Sequence, residues 1–316
     1  MADQDGLLEN AVEKSIAFLQ GRQLPHGEFR MLSALDEDLS NPEDDGSVFP
    51  TAVAVYSASF VDRSRVKDTL RKSLDFLVRE MLAPGFWSYW SASNPKKSPI
   101  DLDTTSYVLS VLKQNGVSVP EDRERLLANR DEHGRFHTWL LNDELRSIGG
   151  HYFDINPVVN ANLLTLLGHS KETDGALQFV LDCVTDESGK AAITYYLDRL
   201  WLYYSASRAF HCGVACLGEV SDHIVHSVEL RLNAGENWDA MRQALAVCSL
   251  LNFSKAGKHL RHLVSALVNS QRQDGSWPAI AMYYGAGCLY GSEELTTALC
   301  LEALSRSSRT SGEAQA

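Results

Sequence analysis

Lys14-Ser15-Ile16-Ala17-Phe18-Leu19, followed through Gln23 by Gly27-Glu28-Phe29, returns as Lys72-Ser73-Leu74-Asp75-Phe76-Leu77, followed through Met81 by Gly85-Phe86-Trp87. Fifteen residues separate the lysine from the closing aromatic both times. Weaker copies follow at Gly134-Arg135-Phe136, Gly235-Glu236-Asn237-Trp238 and Gln271-Arg272-Gln273-Asp274-Gly275-Ser276-Trp277. Self-similarity at this spacing signals stacked supersecondary units. Each Gly-x-aromatic element stands between two helical patterns. The preceding ones are amphipathic: Leu7 to Gln20, Val66 to Met81, Glu121 to Ala128, Gly175 to Cys183, Asp222 to Leu232 and His259 to Gln271. The following ones carry little charge: Thr51 to Phe60, Thr104 to Leu112, Val158 to Leu167, Leu200 to Phe210, Met241 to Leu251 and Leu295 to Leu304.

Helices that are apolar nearly all round belong inside, and amphipathic ones outside. Six of each predict an all-α fold, an (α/α)6 double barrel of six inner and six outer helices, with no β-sheet of consequence. Glycine ends each outer helix without steric cost, and the aromatic ring plugs the gap behind it. The expected organisation is a tail over residues 1–6, one barrel domain over 7–304 and a disordered polar tail over 305–316. Asp36 to Asp45, Ser91 to Ser98 and Thr138 to Gly150 read as loops, the last long enough to cover a pocket mouth.

The chain has 316 residues, 44% of them hydrophobic, enough for a large core, and a net charge of −12 that disfavours nucleic acid as partner. No apolar run is long enough to span a bilayer, though peripheral membrane contact stays open. The start, Met1-Ala2-Asp3-Gln4-Asp5, lacks the basic-then-apolar order of a signal peptide. Cys183, Cys212, Cys216, Cys248, Cys288 and Cys300 form no Cys-x-x-Cys pair, so reduced thiols in the cytoplasm are expected and no metal or other cofactor is implied.

Asp101-Leu102-Asp103-Thr104-Thr105 opens one of the apolar helices. One aspartate there is an ordinary N-cap. Two, one residue apart in a dry cavity, resist double ionisation, so one carboxyl keeps its proton near neutral pH.

These stretches resemble the class II terpene cyclases. Lys14 to Phe29 follows the Gln-Trp repeat of squalene-hopene cyclases, Gln271 to Trp277 keeps its Gln-x-x-x-Gly-x-Trp half, and Asp101 to Thr105 is similar to their Asp-x-Asp-Asp acid motif in an Asp-x-Asp-Thr-Thr variant. With one barrel, the chain looks most like the monodomain bacterial meroterpenoid cyclases. The resemblance implies that Asp103 protonates a terminal alkene or epoxide of a hydrophobic polyprenyl substrate. Asp101 would be its acidic neighbour, and Thr104 stands where the last aspartate usually is.

An acid of this kind needs a polar partner from the next inner helix, and Asn156 and Asn160 share one face of it. Asn160 is the expected partner of Asp103. Carbocations need π faces; the candidates are Trp87, Tyr89, Trp90, Tyr195, Tyr196, Trp201, Tyr203, Tyr204, Trp238, Tyr283, Tyr284 and Tyr290, with about half expected at the cavity. Alternative readings fit the residues less well. A cyclase making a cyclic prenyl diphosphate would hold Mg²⁺ at a Glu-Asp-x-x-Asp stretch, which Glu37-Asp38-Leu39-Ser40-Asn41 misses by its last residue. A non-catalytic binding barrel has no use for the aspartate pair.

Overall fold

The computed structural model describes residues 2–186, 193–255 and 258–313. Its helices are, in order, α1 (Ala2–Arg22), α2 (Val48–Ala58), α3 (Arg63–Arg79), α4 (Leu102–Gln114), α5 (Arg123–Ala128), α6 (Asp143–Ile148) and α7 (Pro157–Leu167). The second half adds α8 (Asp174–Thr185), α9 (Leu200–His211), α10 (Ser221–Asn233), α11 (Ala240–Asn252), α12 (Lys258–Ser270) and α13 (Glu293–Glu313). Every helix expected from the sequence is present, and α6 is additional; most ends agree within a few residues, but α1 begins five residues earlier and α13 ends nine residues later than expected.

The low-charge helices form a closed ring: α2 packs on α4, α4 on α7, α7 on α9, α9 on α11, α11 on α13 and α13 on α2. All eleven residues of α2 are buried, as a helix with neighbours on every side requires. Outside, α1 packs on α13, α3 on α2, α8 on α7 and α12 on α11. These helices bury one stripe only; in α3 it is Val66, Leu70, Ser73, Leu74, Phe76 and Leu77.

The repeat has a physical explanation in each of its residues. Gln23 Nε2 donates to Gly27 O, Thr69 O and Ser73 Oγ, and Gln271 Nε2 donates to Gly275 O, Ala11 O and Ser15 Oγ, so each turn is tied to a neighbouring outer helix. Gly27 (φ +105°) and Gly275 (φ +90°) also lie flat against that helix. A Cβ would come 2.1 Å from Lys72 O at the first and 2.3 Å from Lys14 O at the second. The aromatic then anchors the next ring helix. The backbone N–H groups of Phe29, Trp87, Phe136 and Trp277 donate to Thr51 Oγ1, Thr105 Oγ1, Asn160 Oδ1 and Thr297 Oγ1.

Four strands depart from the expectation of no sheet. β1 (Met31–Ala34), β2 (Glu43–Asp45), β3 (Ile280–Gly285) and β4 (Cys288–Ser292) form an antiparallel sheet in the order β2-β1-β4-β3. The acidic loop thus contributes a strand, with Asp45 buried and bound by Asn94 and Lys96. The β3–β4 hairpin is held in turn by the 195–197 segment, where Leu197 N donates to Met282 O (3.0 Å) and Tyr284 N to Tyr195 O (2.8 Å).

Both tails are corrected where they are described. α1 begins at Ala2, and α13 continues to Glu313 because Ser305, Arg306 and Ser307 are buried against the ring. Met1 and residues 314–316 lie outside the described residues. No helix among the described residues is long and apolar enough to cross a membrane.

Candidate active site

Asp101 caps α4: its Oδ1 accepts from Thr104 N at 2.7 Å. The start of α4 is clamped from both sides, Asp101 N donating to Trp87 O (3.2 Å) and Leu102 N to Thr138 O (2.7 Å). Thr105 turns outward and exchanges two hydrogen bonds with the backbone of Trp87. Asp103 and Thr104 are left to face a cavity of about 320 Å³, which Asp101 also lines.

Both oxygens of Asp103 have donors. Asn162 Nδ2 donates to Oδ1 at 2.7 Å, and the Tyr196 hydroxyl donates to Oδ2 in a very short bond. Burial is the largest influence on this carboxyl and raises its pKa; Tyr196, Asn162 and the Arg208 guanidinium oppose it by favouring the anion. Asp101 is pushed up to about 7, first by burial and also by the charge of Asp103, against the stabilising bond from Thr104 N. Its Oδ2 has no hydrogen-bond partner among the described residues. The site therefore holds a proton near neutral pH beside groups that stabilise the carboxylate once the proton leaves.

The wall around this pair is aromatic. Tyr89, Trp90, Tyr195, Tyr196, Tyr283 and Tyr290 line it, together with Phe49, Trp139 and Tyr152. Tyr283 and Tyr290 stack across the hairpin with centroids 4.9 Å apart, and Tyr89 stands edge-on to Tyr283 at 5.1 Å. Of the 138–150 stretch only Thr138 and Trp139 line the cavity, and the stretch contains α6 and is not simply a loop.

Several expected residues lie elsewhere. Asn160 does not meet Asp103: its amide bonds the backbone N and O of Phe136, at 2.9 and 3.0 Å, in the position Thr51, Thr105 and Thr297 occupy in other repeats. Asn156 caps α7 through Val158 N. Trp87 plugs its turn, with Nε1 donating to Leu77 O (2.7 Å), just as Trp277 donates to Leu267 O. Trp201 packs behind Tyr196, and Trp238 is buried under the Arg231 guanidinium. Tyr204 lies deeper in the ring and donates to Glu302 Oε2. Tyr203 is tied to Arg199. Tyr284 is half exposed, since strand alternation turns it away from the face that holds Tyr283.

Asn162 is the missed partner of the acid, and Phe49, Trp139 and Tyr152 are wall residues missed with it. The clue was the other two asparagines, because a residue before Pro157 and one facing a Gly-x-aromatic turn both have backbone tasks, whereas Asn162 has none. Tyr196 was expected as a π face and is a hydrogen-bond donor to the acid as well. Among the described residues, no group of three or more His, Cys, Asp or Glu side chains is arranged to hold a metal ion.

The fold is that of the solved type II terpene cyclases. Cyclase MstE from Scytonema, solved as a variant in complex with geranylgeranyl dihydroxybenzoate, its substrate, shares 15% identity over 98% of this chain and 99% of that one, with a TM-score of 0.74. The ent-copalyl diphosphate synthase of Streptomyces platensis matches 82% of this chain and 50% of its own at 16% identity and a TM-score of 0.60. In sequence, a drimenol cyclase from Aspergillus calidoustus is 24% identical over 242 residues, 73% of this chain. The chain spans 43% of that relative's length. No protein-family model matches the chain.

Proposed function

We propose that the chain is a class II terpene cyclase, converting a linear polyprenyl chain, free or attached to a small aromatic acid, into fused rings. The observation that carries this reading is Asp103, a half-buried carboxyl on an aromatic cavity wall with a donor on each oxygen. Protonating an alkene requires an acid that is neutral at rest and whose anion is stabilised at once; burial supplies the first condition, Asn162 and Tyr196 the second. The Asp103 proton goes to the terminal alkene carbon, whose π pair forms the new C–H bond and leaves a tertiary cation. The next alkene attacks that cation, closes a ring and passes the charge on. The faces of Tyr89, Trp90, Tyr283 and Tyr290 meet the charge as it moves.

Thr104 and Asp101 complete the wall, and burial, which pushes Asp101 up to about 7, disfavours a second negative charge beside Asp103. The head group belongs at the open mouth, where Lys97, bonded to the carbonyls of Ala92 and Asn94, suits a carboxylate. The ring with its outer helices fits a regular six-plus-six double barrel in which α5 is the shortest outer member. Six cysteines, all thiols, fit a reducing cytoplasm.

Incubation with a panel of prenyl alcohols, prenyl diphosphates and prenylated hydroxybenzoates, with product analysis, tests the reading. Cyclised products from wild type and none from Asp103→Asn are expected. Loss of turnover in EDTA, restored by Mg²⁺ and confined to diphosphates, would replace it with a cyclase making a cyclic prenyl diphosphate. No cyclisation of any substrate would end it.

A further inference from the structure

The cavity occupies only the first turn of the ring helices, because the space below is filled. One turn past Asp103, Tyr107 is buried with the Arg208 guanidinium 3.8 Å from its ring centroid and 5.0 Å from that of Tyr56. The Tyr107 and Tyr204 hydroxyls lie 3.4 Å apart, and Tyr204 bonds Glu302, which also binds Arg306. This plug joins α2, α4, α9 and α13 across the ring centre. Phe49 lies between it and the cavity, lining the one and touching Tyr107 of the other with ring centroids 5.3 Å apart.

We propose that Phe49, backed by the Tyr107–Arg208 plug, ends the cascade after two ring closures by leaving room for only three isoprene units beside Asp103. The inference rests on the cyclase reading and specifies its product. An apolar cavity of about 150 Å³ takes up one benzene, six carbons. At the same filling, 320 Å³ holds roughly thirteen carbons. That is close to the fifteen carbons of three isoprene units and well short of twenty. Three units contain three alkenes. The first takes the Asp103 proton, the second closes one ring and the third closes another, each new C–C bond using one π pair. The cation left on the third unit loses a proton to water at the mouth and restores one alkene, so the product is an isomer with two more rings and two fewer double bonds. Any further chain lies outside the aromatic wall and leaves uncyclised.

Phe49→Ala removes a six-carbon ring from the floor, about the space of one five-carbon unit. Phe49→Leu opens less but preserves more of the packing, and serves if the alanine variant folds poorly. With a substrate bearing a twenty-carbon chain, wild type should give bicyclic over tricyclic product by at least about tenfold, the discrimination an ill-fitting methylene already provides. Phe49→Ala should raise the tricyclic fraction about tenfold and Phe49→Leu by less, read by mass spectrometry and NMR of the products. A floor with a purely structural role would lower total yield and leave the ring count alone. Three or more rings from wild type, or an unchanged ring count in both variants, overturns the inference while the cyclase reading stands. Absence of every cyclised product is the separate failure of that reading.

Discussion

Asn162 lies 2.7 Å from Asp103 Oδ1, while Asn160, two residues earlier on the same helix, is turned toward the backbone of Phe136. Two residues along an α-helix is about 200° of rotation, so the two amides must serve opposite sides of α7. Their substitutions should therefore separate. Asn162→Ala should reduce turnover at least about tenfold with little change in thermal midpoint. Asn160→Ala leaves a buried N–H and C=O unpaired and should cost about 1–3 kcal/mol of stability. Thermal unfolding beside steady-state turnover reads both, and a reversed pattern would exchange the roles.

Tyr196→Phe removes a donor that favours the Asp103 carboxylate. The pKa of Asp103 should rise, making it a weaker acid that keeps its proton to higher pH. The plateau rate should fall, and the alkaline limb of the rate–pH profile should move upward. A lower rate on an unshifted limb would reduce Tyr196 to packing.

Asp101 carries a pH signature in stability. Its pKa rises from 3.8 to about 7 on folding, so the folded state binds the extra proton. The stability this provides is complete below pH 3.8 and is lost as pH rises to about 7, after which the penalty is constant. Asp101→Asn keeps a capping oxygen and removes the titration. Its thermal midpoint, measured relative to wild type, should climb across that window by the equivalent of a few kcal/mol at ~1.4 kcal/mol per unit. A flat difference would mean that Asp101 titrates normally.

Gly275→Ala should destabilise the chain by more than an exposed substitution would. The residue sits at φ +90° with the new Cβ 2.3 Å from Lys14 O. Strain at such a backbone costs about 1–3 kcal/mol before the clash is counted. Denaturant midpoints measure it, and a loss below about 0.5 kcal/mol would show that the turn can shift freely.

Helices and acid pair were legible because their signals are local: lysine, glycine and aromatic recur within fifteen residues of chain, and Asp101 and Asp103 stand at a helix start. The sheet was not. β1 is four residues long and pairs with β4 across most of the chain, which no local period reveals. The Tyr283-Tyr284 pair was read as two cavity rings, whereas strand alternation keeps one. Ser305 to Ser308 looked like a polar tail because serine hydroxyls can bond their own helix; Ser307 Oγ donates to Ala303 O and needs no water. Asn160 is favoured over Asn156 in the sequence because amides in an apolar run suggest a polar task, and the backbone of the Phe136 turn is an equally good reason for one.

Gln271 holds Ser15 as Gln23 holds Ser73, yet the first contact spans 256 residues and the second 50. The two junctions have the same bonds and differ in the length of chain each must close. Closure entropy grows with the logarithm of that length, so the long seam costs only about 1.4 kcal/mol more than the short one. Its real burden falls on timing. During synthesis α1 is made well before the turn at Gln271 and must wait for it, 256 residues past Ser15, before that side of it is covered. A circular permutant with joined ends and a break in another inter-repeat turn would shift this wait to a different helix and leave the finished ring unchanged.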